Sequence, residues 1–241
     1  MRLAKYLASA GVASRRRAET MIYEGRIAVN GIIAEKPEVR VNEGDLVTVD
    51  GSIIEGPEKK VYLLLNKPQG YISTAHDTHD RPIVTELVAD IEARLYPVGR
   101  LDADTSGVLL MTNDGELAHR LMHPRFEVEK VYKAWVEGIP QKEAIDKMSR
   151  GLIIEGDKTA PARIKLIKRD PVKTTALLEI MIIEGKKRQV KKMCAAIGHP
   201  VRTLRRDSFA GLKTGRLKKG AYRHLDKREV NALYRLVGLQ S

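Results

Sequence analysis

The stretch Glu55-Gly56-Pro57-Glu58-Lys59-Lys60 constrains this chain most, because it is polar, carries Gly and Pro, and interrupts the hydrophobic patterning. It reads as a linker and divides the chain into residues 1–58 and 61–241. The short unit can bury only a small core, whereas the long one has the size of an ordinary domain, about 100–200 residues. A linker of this kind also predicts that the two units can move relative to each other.

In the short unit, Leu3 to Ala10 has helical spacing and stops at Gly11, a natural C-cap. Ser14 offers an N-cap for a second helix to about Glu24, with Ala18, Met21 and Ile22 on one face. Gly25 ends that helix. Strand signals follow at Ile27 to Val29, Val39 to Val41 and Leu46 to Val49, with Asn30-Gly31 and Asp50-Gly51 as hairpin turns.

In the long unit, strands are expected at Val61 to Leu65, Gly107 to Thr112, Val128 to Val136, Ala162 to Ile167 and Thr175 to Ile183. Helices fit Glu116 to Met122, Lys142 to Arg150, Arg188 to Ile197 and Lys227 to Leu236. Strands and helices are interspersed without regular βαβ alternation, which predicts an α+β fold around a central mixed, mostly antiparallel sheet. The 43% hydrophobic content suffices for a buried core.

Charge narrows the function. The net charge is +12, and residues 186–228 hold 15 Lys or Arg against only Asp207 and Asp226. A basic field this concentrated attracts a polyanion. Nucleic acid fits it better than a membrane surface, since the segment lacks an amphipathic helix with bulky apolar anchors. No apolar run approaches the roughly 20 residues of a membrane span. MRLAKYLASAG is too polar for a signal peptide, so the expected compartment is the cytoplasm. The lone Cys194 leaves no internal disulfide and no cysteine-rich zinc site. Arg15, Arg16 and Arg17 occupy the first turn of the second helix, where positive charge opposes the helix dipole. Backbone donors and guanidiniums together there suit a phosphate better than a solvated turn.

Chemistry concentrates in YPVGRLDADTSGVLLMTNDGELAHRLMHP. Asp102 and Asp104 lie with Arg100 in a polar loop before an apolar strand. A loop carboxylate can act as a covalent nucleophile, kept ionised by a nearby cation. Residue chemistry alone does not choose between Asp102, Asp104 and Asp114, and an isolated loop Asp is usually a turn former. His76, Asp77, His79 and Asp80, with the helical pair His119 and His123, admit a second reading, a metal-dependent ribonuclease. That loop sits on no rigid element, and the pair lacks the glutamate of a HExxH site. A third reading is a non-enzymatic RNA-binding or ribosome-assembly factor, for which the basic segment and the arginine helix would suffice.

GRLDADTSGVLLMTNDG resembles the central motif of the RsuA/RluB family of pseudouridine synthases, in which the first Asp is the nucleophile; here that is Asp102. Three further segments match in order. Leu65-Asn66-Lys67-Pro68-Gln69-Gly70 is similar to the family's KPxG strand end. Glu129-Lys130-Val131-Tyr132 resembles the segment with the active-site tyrosine, and so implies that role for Tyr132. Residues 184–193 resemble the third motif, whose basic residue after Gln-Val pairs with the nucleophile, here Lys191. Lys in place of Arg gives a point charge instead of a planar fork. RLAKYLASAGVASRRRAETMIYEGRIAVNG resembles the small RNA-binding domain named after ribosomal protein S-four.

The resemblance implies an RNA-binding domain at 1–58 and a catalytic domain at 61–241. It implies an isomerase that turns uridine into pseudouridine without cofactor or metal. Asp102 would attack either the ribose or the base, and Tyr132 would stack on the flipped uracil. The wording of the central motif is closer to the RluB branch, which implies 23S rRNA or a large-subunit precursor as partner. A monomer is expected. The cleft is expected across the sheet, between the Gly99–Thr105 loop and the helix from Arg188. Arg15, Arg16, Arg17, Arg100, Lys186, Lys187, Arg188 and Lys192 are the expected RNA contacts.

Overall fold

The computed structural model describes residues 1–240. Its contacts group into two compact units, one of Met1–Val61 with Ile91–Arg94 and Asn113–Gly115, the other holding the remainder.

The small unit packs α1 (Leu3–Ser9) against α2 (Arg15–Tyr23), and Ser14 caps α2 by accepting from the Arg17 N–H. Four short strands follow: β1 (Ile27–Val29), β2 (Ile32–Ile33), β3 (Val47–Val49) and β4 (Ser52–Ile53). They form an antiparallel sheet in the order β2-β1-β3-β4. Asn30-Gly31 and Asp50-Gly51 take positive φ at both positions, the type I′ geometry that suits strand twist. Leu3, Leu7, Ile22 and Ile27 are fully buried in this unit's core. The expected strand at Val39 to Val41 does not form. Instead Val39 accepts from the Leu3 N–H and Val41 donates to the Met1 carbonyl, leaving one isolated bridge, Arg2 to Arg40.

The large unit is built on one sheet. Its strands are β5 (Tyr62–Lys67), β6 (Tyr96–Pro97), β7 (Thr105–Thr112), β8 (Lys130–Glu137), β11 (Arg163–Asp170), β12 (Thr175–Ile182), β13 (Val201–Phe209), β14 (Leu212–Lys213) and β15 (Tyr222–His224). A separate hairpin, β9 (Ile153–Ile154) with β10 (Asp157–Lys158), makes its own pair. The sheet runs β11-β12-β8-β13-β7-β5-β15, with β14 on β13 and β6 on β7. Only β13 and β7 are parallel, so the sheet is mixed and mostly antiparallel. β7 is buried at all eight positions, as its Val-Leu-Leu-Met run requires.

Four helices pack on this sheet: α3 (Gly115–Met122), α4 (Lys142–Ser149), α5 (Gln189–Ala196) and α6 (Lys227–Leu236). Met148, Val190, Met193 and Cys194 join one core with Ala134, Leu178 and Leu204. Leu117, Leu121, Leu233 and Val237 join a second core with Leu64, Val108 and Leu110. An Asp226–Glu229 capping box starts α6. Sequence patterning does not reveal β13, the strand joining the two halves. Its buried positions include Arg206 and Ser208, so the alternation of apolar residues is missing. No helix among the described residues is long and apolar enough to cross a membrane.

Candidate active site

Asp102 sits in the loop that enters β7, and its backbone is fixed from below by a lysine. Lys67, at the end of β5, is fully buried. Its ammonium donates to three carbonyls: Pro68 at 3.0 Å, Asp102 at 3.1 Å and Thr105 at 2.9 Å. Three donors on one ammonium are thus all used, as burial of a charge demands. Burial nevertheless pulls the Lys67 pKa down to about 8, against the charges of Asp104 and Asp102, which favour its protonation. Ser73 adds a second clamp: its hydroxyl donates to the Leu101 carbonyl at 2.9 Å and accepts from the Leu101 N–H at 3.0 Å.

The Asp102 carboxylate points at α5. Lys191 Nζ lies 3.2 Å from Asp102 Oδ2 and 2.5 Å from Asp104 Oδ1. Arg188 Nε is 4.0 Å from Asp102 Oδ2. The hydrogen bond from Lys191 holds the Asp104 carboxyl below its usual range. Arg188 stands at the N-cap of α5 with φ +54°, a left-handed conformation that costs a non-glycine residue about 1 kcal/mol or more. Asp102 remains partly open to solvent, with a side-chain exposure of 38%. Asp114, by contrast, is buried in the small unit and paired with Lys60 at 3.0 Å.

Tyr132 lies in β8 with 9% exposure and shares a core with Leu101 and Val190. Those two residues flank the loop and the helix that carry Asp102 and Lys191. Gly107 lets β7 approach β13 closely. With φ +110°, a Cβ there would stand 2.1 Å from the Arg206 carbonyl oxygen.

The RNA pseudouridylate synthase family matches residues 61–196, and the S4 domain matches residues 1–47. The chain belongs to the RNA pseudouridylate synthases. It is therefore an isomerase acting on RNA, with an S4 RNA-binding domain at its N-terminus. It is 48% identical to the Ribosomal large subunit pseudouridine synthase B of Bacillus subtilis (strain 168), over 96% of this chain and 95% of that protein. It is 42% identical to an uncharacterized RNA pseudouridine synthase of Aquifex aeolicus (strain VF5), over 100% and 96% of the two chains. Among solved structures, a pseudouridylate synthase crystal structure aligns with a TM-score of 0.68 and 28% identity, covering 97% of this chain and 99% of the other.

The other sequence-predicted residues of this synthase divide into groups. Arg100 and Lys187 are exposed beside the site. Lys186 and Lys192 are engaged by the β9–β10 hairpin: Lys186 Nζ donates to the Lys158 carbonyl and pairs with Asp157, and Lys192 Nζ is 2.5 Å from Glu155. In the small unit the three adjacent arginines differ. Arg17 pairs with Glu24 at 3.1 Å, and Arg15, whose Nε lies 3.9 Å from Glu19, lines a cavity of about 260 Å³ with Met1, Arg2, Lys5 and Arg40. Four cations around one cavity make a better anion receptor than the arginine run by itself, and the sequence separates them by up to 38 positions.

The His-Asp loop is arranged around Arg81. Asp77 accepts from the Arg81 guanidinium and from the His79 and Arg81 N–H groups. The His119 and His123 rings meet edge to face at 5.6 Å, and His123 Nδ1 accepts from the Arg125 N–H. No group of three or more metal-ligating side chains occurs among the described residues. Sequence reasoning missed Lys67 as a structural member of the site. The available signals were its position at the end of an apolar strand and its place in the segment similar to the KPxG strand end.

Proposed function

We propose that this protein converts one specific uridine of ribosomal RNA, in the large-subunit 23S rRNA or its precursor, into pseudouridine, with Asp102 as covalent nucleophile. The observation that carries the reading is the Asp102 carboxylate held at 3.2 Å from Lys191 on a loop pinned by buried Lys67. Relatives support the ribosomal target through their names, the Bacillus subtilis protein above all. A carboxylate held by a cation on a pinned loop is aimed, which a covalent nucleophile needs.

In this reading Asp102 attacks the ribose or the base, and the bond from the ribose C1′ to N1 breaks. The base turns and C5 bonds to C1′. The C5 proton leaves, N1 is protonated, and the carboxylate is released. Lys191 holds the carboxylate in place through their ion pair. Tyr132 stacks on the uracil after it leaves its own stack. Residues 61–241 carry this chemistry. Residues 1–58, with Arg2, Lys5, Arg15 and Arg40, hold backbone phosphates of the same RNA.

The test is a pseudouridine map of rRNA treated with wild type and Asp102→Asn, read by carbodiimide adducts and primer-extension stops. One stop made by wild type and absent with a variant that still binds RNA is the expected result. A stop of equal strength with Asp102→Asn would overturn the assignment of the nucleophile.

A further inference from the structure

Strand register aligns five residues across the large sheet. Lys67 on β5 faces Gly107 on β7, Gly107 faces Arg206 on β13, Arg206 faces Tyr132 on β8, and Tyr132 faces Ile180 on β12. Arg206 thus lies between the lysine that holds the Asp102 backbone and the tyrosine of the candidate site. Gly107 has no side chain to separate Arg206 from Lys67.

Arg206 breaks a folding rule. It is 2% exposed, yet it enters no ion pair among the described residues, and the adjacent Asp207 is taken by Lys133 at 3.3 Å. Its Nε donates to the Val108 carbonyl at 2.8 Å and its guanidinium lies 4.9 Å from the Phe209 ring centre. One terminal nitrogen, Nη2, has no hydrogen-bond partner among the described residues. A guanidinium does not escape this cost by losing its proton.

The charge also acts on its neighbours. Burial first, and then repulsion from Arg206, pulls the pKa values of Lys67 and Lys130 down to about 8. Lys67 and Lys130 spend their ammonium donors on carbonyls, whereas Arg206 leaves Nη2 unpaired, so at its position an apolar side chain would serve folding better. Local violations of this kind are expected where function requires them.

We propose that Arg206 is a positioning residue of the isomerisation: its buried charge, set between Lys67 and Tyr132, stabilises the negative charge that passes from Asp102 to the uracil. The inference rests on the nucleophile reading above. Its chemistry is the same for attack at either centre. Attack at C1′ expels the base with the electron pair of the broken bond, and addition to the base leaves an enolate on the ring. In both cases the carboxylate loses its charge and the base gains it. A fixed cation in a low-dielectric floor favours the second state without touching the substrate and without reorganising.

The test uses the full chain with Arg206→Met, which keeps the packing volume, and Arg206→Lys, which keeps the charge. Single-turnover rate at saturating rRNA fragment, RNA affinity and melting temperature are measured for each. Arg206→Met is expected to melt no lower than wild type, to bind RNA within about twofold, and to react at least about tenfold more slowly. Arg206→Lys is expected to recover most of the rate. A wild-type rate for Arg206→Met overturns the proposal. So does a drop of several degrees in its melting temperature with a rate loss no greater than the loss of folded protein. Asp102→Asn is run beside them: activity in that variant breaks the nucleophile reading itself, whereas an inactive Asp102→Asn with a fast Arg206→Met breaks only the inference about Arg206.

Discussion

Lys67→Met tests how the loop carrying Asp102 is held. The substitution removes three charge-assisted hydrogen bonds, to the carbonyls of Pro68, Asp102 and Thr105. At roughly 1.5–3 kcal/mol each, these contribute about 4–9 kcal/mol. Against them stands the burial of the charge. A pKa lowered from 10.5 to about 8 corresponds to about 3 kcal/mol opposing the protonated form. The expected net loss at pH 7.5 is therefore on the order of 3 kcal/mol, or roughly 6–12 °C in Tm for a unit of this size.

The pH dependence has a definite sign. The folded pKa lies below the unfolded one, so the cost is fully present below about 8. Between about 8 and 10.5 the unfolded state binds more protons, and stability rises with pH. Wild type should gain about 2 kcal/mol relative to Lys67→Met between pH 7.5 and 10. Lys130 carries the same shift in both proteins and cancels in the difference. Thermal melts of both proteins across that range measure the effect. A gap in Tm that stays constant with pH, or a variant as stable as wild type at pH 7.5, would refute the reasoning.

Two further outcomes are expected. Gly107→Ala drives a Cβ to 2.1 Å from the Arg206 carbonyl oxygen at φ +110°, and should cost more than about 4 kcal/mol in urea unfolding; a loss under about 1 kcal/mol would contradict the close approach of β7 and β13. Replacing Arg2, Arg15 and Arg40 together by Gln should lower the slope of log affinity against log salt by about 2–3, at roughly 0.7–0.9 per phosphate contact. Replacing Arg16 and Arg17 instead should change that slope less, and a larger change for this pair would remove the cavity at Arg15 as the phosphate site.

What the sequence determines by itself is local. The helix from Lys227 to Leu236, the Ser14 cap and the Asn30-Gly31 and Asp50-Gly51 turns all appear where spacing and turn chemistry put them. Each depends on contacts within a few residues, so the neighbouring sequence contains its cause. The ordered motifs carry the family as well, because their residue types and spacing are specific together. The turn at Ala210-Gly211 has the same positive-φ pair as those hairpins, yet Ala at its first position hides it, and β14 with it.

Tertiary structure decides the rest. Asp102 and Lys191 meet across 89 positions, and Lys67 reaches the Asp102 carbonyl across 35. Nothing in the sequence near Arg206 distinguishes a buried guanidinium from a solvated one, since it lies in the most basic part of the chain. The same holds for Lys186 and Lys192, which residue type marks as RNA contacts and the fold pairs with Asp157 and Glu155. The physical reason is shared by all of these residues. A side chain's charge is fixed by its covalent structure, but whether that charge is buried, paired or exposed depends on which distant strands the sheet brings beside it.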